Sequence, residues 1–244
     1  MKNFKITSFI LGFALLFFVY HFPEFFQSFW IMAVFKIGFL ILAYFVVKFQ
    51  QLDGYKSYGL DFEKGWLKKV SFGIIIGLLF FGFSVFTSYY LGYEKILSYE
   101  SLVVIIQKLP MILLMTFVPS LAEDILTRGY LYAHLKFLKP SIWILISSII
   151  YVLNHIWRLN EGISVLSYLF FLGLVLAISI IITKSLWLTF GIHWGANIAF
   201  ECNNSFINTI TLSKNNEPIW ILAITWLFLF AILIIKYSKQ YKTN

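Results

Sequence analysis

Charged side chains make up only 12% of the 244 residues, against 60% apolar and 20% aromatic. A water-soluble domain cannot cover itself with so little polar surface, so lipid must be part of the solvent. The single cysteine, Cys202, excludes an internal disulfide framework and a cysteine-rich metal site. No basic domain is present. The net charge of +8 comes from residues scattered between apolar runs, which speaks for membrane topology and against a nucleic-acid partner. His-Glu-x-x-His, Gly-x-Ser-x-Gly and the paired aspartates of aspartyl membrane proteases are all missing, and Leu52-Asp53-Gly54 is a chance match in a loop. No internal repeat is detectable, which weakens an inverted-repeat transporter.

What is present is a series of long apolar runs. They predict helices at about 5–21, 29–49, 70–92, 109–136, 140–157, 163–183, 185–203 and 218–237. The fold class is therefore all-α: a polytopic transmembrane bundle of about eight spans in one integral membrane domain, 1–244. The first run lacks a small-residue cleavage pattern and reads as a retained helix. Gln50 to Lys69 and Asn203 to Pro218 read as polar linkers, His21 as part of the first outer loop, and Trp30, Trp157, Trp187 and Trp220 as interfacial anchors. With a cytoplasmic N-terminus, 14 basic residues fall inside and four (Lys95, Lys108, Arg158, Lys214) outside, with Lys36 within a span. That bias predicts cytoplasmic termini and a multi-pass protein of the cell membrane.

Ionisable groups at bilayer depth cost about 2.5–3.5 kcal/mol each, so each needs an explanation. Glu123, Asp124 and Arg128 lie within two turns of the fourth run. Asp124 and Arg128, four apart, share a helix face and can offset each other's desolvation. Glu123 is turned about 100° away, which leaves it the freer carboxylate and a candidate general base. One of only two arginines in the chain stands here, where a planar, permanently charged fork can orient a carboxylate. The same residues also fit a structural ion pair or a snorkelling arginine.

Tyr151 and His155 lie four apart near the end of the fifth run, and His193 and Asn197 four apart in the seventh. Taken singly, each histidine also fits a packing residue. At about 1.5 Å per residue from the inner ends, Glu123, His155, His193 and Asn197 reach about 20, 22, 14 and 20 Å, a common layer near mid-membrane. A converging hydrated cavity accounts for this better than scattered packing. Such a set supports hydrolysis, with Glu123 and His155 activating a water and His193 and Asn197 donating to an oxyanion.

Glu123-Asp124-x-x-x-Arg128, Tyr151-x-x-x-His155 and His193-x-x-x-Asn197, in that order, resemble the three motifs of the CAAX protease and bacteriocin-processing (CPBP, or Abi) family of intramembrane endopeptidases. Those motifs are Glu-Glu-x-x-x-Arg, Phe-x-x-x-His and His-x-x-x-Asn. The resemblance covers roughly 59–203, including a Gly59-to-Gly73 stretch. It implies that Glu123 and His155 are the water-activating pair and His193 and Asn197 the oxyanion pair, while Arg128 orients the carboxylates. Asp124 stands for the second glutamate and Tyr151 for phenylalanine; the shorter Asp124 is expected to hold Arg128. Zinc on His155, His193 and Glu123 is conceivable, but with no His-Glu-x-x-His element we expect no obligatory cofactor. The expected partners are membrane lipid and a membrane-associated peptide or protein substrate. The lysine- and isoleucine-rich composition suits an AT-rich bacterium. A non-catalytic immunity or scaffold protein and a proton-coupled carrier are the competing readings.

Overall fold

The structure is a computed structural model that describes residues 6–242, with side chains described through residue 239. Lys2, Lys5 and the chain ends, which enter the orientation argument, lie outside the described residues. The helices are α1 (Ile6–His21), α2 (Phe29–Phe49), α3 (Trp66–Tyr90), α4 (Leu102–Asp124), α5 (Tyr130–Leu135), α6 (Pro140–Asn154), α7 (Ile163–Thr183), α8 (Leu186–Phe206) and α9 (Glu217–Lys242). Strands β1 (Glu94–Tyr99) and β2 (Ile207–Thr211) pair antiparallel, Glu94 opposite Thr211 and Tyr99 opposite Ile207. The architecture is a helical bundle, as the apolar runs predict, with this small sheet added where loops were expected.

Local signals set several helix starts. Ser28, Ser101 and Ser185 accept from Ile31, Val104 and Trp187 backbone N–H groups at 3.5, 3.4 and 3.4 Å, and Pro140 opens α6 at a position whose N–H would be unpaired anyway. Six helical stretches are long and apolar enough to cross a membrane: 6–25, 29–49, 66–90, 102–135, 163–183 and 217–239. The other two expected spans correspond to α6, which has only 15 residues, and α8, which carries His193, Asn197 and Glu201.

Two glycine pairs decide how α8 sits. Gly73 and Gly77 of α3 face Gly191 and Gly195 of α8, and a Cβ at Gly73 would lie 2.6 Å from the Leu188 carbonyl oxygen. Small residues four apart on both helices let the backbones touch, the usual route to tight helix pairs in lipid. His193 lies two residues, about 200°, from Gly191, so the face opposite α3 turns toward α4. The linker before α3 is bound to the start of α8: Leu186 N–H donates to Gly59 O at 2.8 Å and Trp187 Nε1 to Asp61 O at 2.8 Å. Trp187 is therefore buried, 4.8 Å from the Trp66 ring, rather than an exposed interfacial anchor.

α4 and α5 form one 34-residue rod, about 51 Å at helical rise, interrupted by a π-helical turn at Ile125–Gly129. Pro119, inside α4, has no N–H to continue the ladder one turn before Glu123. The irregular backbone that follows is supported by side chains: Thr127 Oγ1 donates to Glu123 O at 2.8 Å and Ser147 Oγ to Thr127 O at 3.0 Å. π turns of this kind recur at functional sites.

Candidate active site

The last turn of α4 presents Glu123 and Asp124 side by side. Asp124 Oδ1 accepts from Arg128 Nη1 at 2.5 Å, and neither side chain has any exposure. Arg128 Nη1 also donates to Thr127 Oγ1 at 2.9 Å, and the guanidinium lies over the Tyr151 ring, 4.3 Å from its centroid. The expected Asp124–Arg128 pair is thus formed. Asp124 does more than hold the arginine, because its Oδ1 also lies 3.3 Å from His193 Nδ1, close but not aligned as a hydrogen bond. The substitution of aspartate for glutamate leaves both contacts within reach.

Glu123 faces the two histidines. Oε1 lies 3.6 Å from His155 Nε2, and Oε2 lies 3.8 Å from His193 Nε2. Both exceed a direct hydrogen bond. Each imidazole addresses a different carboxylate oxygen, His193 from α8 and His155 from the residue that caps α6. His193 is 2% exposed, while the His155 side chain is 19% exposed, so the open side of the cluster lies at His155.

His155 does not sit in a continuous helix. α6 stops at Asn154, and the His155 backbone (φ −89°, ψ 54°) leads into a 3-10 turn, Ile156–Arg158. The expected span to 157 is shorter for this reason. The tyrosine partnership survives by another route: His155 Nδ1–H donates to Tyr151 O at 2.8 Å, and the rings meet edge to face with centroids 4.7 Å apart. That donation leaves Nε2 as the nitrogen turned toward Glu123.

Asn197 joins the cluster less directly. Its Nδ2 donates to Ser120 Oγ at 2.9 Å, three residues before Glu123 on α4, and one turn away Trp194 Nε1 donates to Thr116 Oγ1 at 3.1 Å. These bonds hold the α8 face against α4.

Two residues of the cluster escape motif reading. Asn154 Nδ2 donates to Glu123 Oε1 at 3.2 Å, and Asn154 Oδ1 is 3.1 Å from His21 Nε2. His21 is the last residue of α1 and is buried, not a member of an outer loop. The signal available in the sequence was an amide at the end of an apolar run, beside His155. Nothing local connects it to residue 21.

Among the described residues, no group of three or more His, Cys, Asp or Glu side chains is arranged to hold a metal ion. His155 and His193 approach separate oxygens of the Glu123 carboxylate.

A helical bundle with six membrane-length apolar helices is that of a multi-pass membrane protein, and it carries a buried carboxylate–imidazole centre. Residues 104–199 match the family described as Type II CAAX prenyl endopeptidase Rce1-like, a protease family. The matched segment contains every residue of the three motifs, from Glu123 to Asn197, and agrees with the resemblance they carry. No curated protein matches the chain.

Proposed function

We propose that the protein is an intramembrane endopeptidase that cleaves peptide bonds of a membrane-associated peptide or protein with a water activated by Glu123 and His155. The observation that carries this reading is the carboxylate of Glu123 approached by two imidazole Nε2 atoms, at 3.6 and 3.8 Å, one from α8 and one from the residue that follows α6. With its Nδ1–H committed to Tyr151 O, His155 offers a lone pair at Nε2. Glu123 Oε1 and His155 Nε2 are then two acceptors facing the same space, suited to the two hydrogens of one water.

Glu123 takes one proton as the water oxygen bonds to the substrate carbonyl carbon, whose π electrons move to oxygen. The oxyanion is met by His193, whose Nδ1 edge lies 3.3 Å from Asp124 Oδ1, and by Asn197. Glu123 then passes its proton to the leaving nitrogen as the carbon–nitrogen bond breaks, which restores the carboxylate. The Arg128–Asp124 pair and the Tyr151 ring keep the carboxylate layer in place. The matched family's name specifies prenylated substrates; for this chain we propose only the broader class.

The test compares wild type with Glu123→Gln for uncleaved membrane peptides by mass spectrometry. Peptides that accumulate only in the variant support the reading. Identical peptide profiles would remove it in favour of a binding or scaffold protein, and ion flux in liposomes would favour a carrier.

A further inference from the structure

Beyond the three motifs, one connected set of buried and half-buried polar side chains runs away from Glu123 into the first two helices. Lys36 Nζ on α2 donates to Glu24 Oε1 at 3.2 Å and to Tyr20 O at 2.9 Å. Glu24 Oε2 accepts from His21 Nδ1 at 2.7 Å and from Trp157 Nε1 at 2.9 Å. His21 Nε2 reaches Asn154 Oδ1, and Asn154 Nδ2 reaches Glu123 Oε1. His21, Lys36, Asn154 and Glu123 are all under 9% exposed. His21, Glu24 and Lys36 all lie outside the 104–199 segment.

The donors and acceptors permit one polarity. Both Glu24 oxygens are acceptors, so Lys36, Trp157 and His21 Nδ1 donate to them. A flipped Asn154 amide would set its oxygen against the Glu123 carboxylate, two acceptors in a medium of low dielectric. With the amide as found, its oxygen accepts from His21 Nε2–H, and both ring nitrogens of His21 are donors. Each link therefore dictates the next from Lys36 to Glu123. This costs the fold ionic groups around the first helix pair, Glu24 and Lys36 among them, which a purely packing role for α1 and α2 would not call for.

We propose that Asn154 and His21 are positioning residues for Glu123: His21, anchored by Glu24 and Lys36, holds the Asn154 amide with its N–H edge on Glu123 Oε1, and this keeps the carboxylate aimed between His155 and His193. The inference rests on the endopeptidase reading for its catalytic consequence, while the hydrogen-bonded chain itself can be read without turnover.

Two measurements on the full-length protein in detergent or nanodiscs test it. The first is infrared absorption: the carboxylate band lost in Glu123→Gln is expected to move in Asn154→Leu and in His21→Phe. The second is cleavage kinetics. Partners that orient a reacting group are worth about 10- to 100-fold, so kcat is expected to fall by about that factor in Asn154→Leu and His21→Phe with KM unchanged. The double variant should be no slower than Asn154→Leu alone, because the two residues act in series. Asn154→Asp keeps the shape but sets a second carboxylate against Glu123, so it should be slower than Asn154→Leu, and it serves if that variant does not fold. An unmoved band, a fully active Asn154→Asp, or losses that multiply in the double variant would each overturn the proposal. Should the band move while wild type cleaves nothing, the positioning of Glu123 stands and the endopeptidase reading falls.

Discussion

Arg128 lies over Tyr151, its guanidinium carbon 4.3 Å from the ring centroid, while Nη1 of the same group bonds Asp124. One cation thus ties α4 to α6 through a ring face and fixes the carboxylate next to Glu123. Nε and Nη2 of Arg128 have no hydrogen-bond partner among the described residues, so the ring face and one carboxylate oxygen carry most of the compensation.

That arrangement makes Arg128→Met strongly destabilising, since it strands Asp124 as a buried uncompensated charge. A loss of about 3–5 kcal/mol is expected. Asp124→Asn in the same chain should recover much of it. Thermal unfolding of the two single variants and the double variant in one detergent checks this, and additive losses would mean the two residues are not coupled.

His193→Ala and Asn197→Ala are expected to lower kcat by about 10²- to 10³-fold with little change in KM, as removal of oxyanion donors does. Because Asn197 also bonds Ser120, the comparison should include Ser120→Ala, which removes the partner of Asn197 on α4 and keeps both donor side chains in the chain. A Ser120→Ala loss equal to that of Asn197→Ala would assign Asn197 to packing.

Gly195→Val places a branched side chain against the α3 backbone, where even a Cβ meets Ile74 Cα at 2.8 Å. The variant is expected to lower the unfolding midpoint and to abolish cleavage by shifting His193. Gly82→Ala, where a Cβ would meet nothing within 4 Å, is the matched control and should be neutral or slightly stabilising. Equal behaviour of the two would mean that the glycine contact does not set the position of α8.

Cleavage is expected to persist after exhaustive chelation, and purified active protein is expected to contain well under one zinc per chain by elemental analysis. One tightly bound equivalent required for turnover would instead assign His155, His193 and Glu123 to a metal and displace the water-activation scheme.

Much of this molecule could be read from its residue order. Apolar run length marks a helix whether or not its neighbours are known, because lipid obliges each span to satisfy its backbone internally. The pairing of Asp124 with Arg128 followed from four-residue spacing alone. The three motif helices were legible because buried charge is costly and therefore stands out against apolar sequence.

Other features depend on contacts between distant parts of the chain, and no local pattern specifies them. β1 and β2 are separated by five helices, so each read as a loop by itself. His21 looked like an outer-loop residue because its partner, Asn154, belongs to another helix. The π turn after Glu123, the end of α6 one residue before His155, and the glycine-to-glycine approach of α3 and α8 likewise arise only when the helices are packed. Residue types and their spacing determined that this chain lives in lipid and which polar groups lie in its helices. Tertiary packing alone decided which of those groups meet, because hydrogen bonds and close backbone contacts act over a few ångströms in space, whatever the separation along the chain.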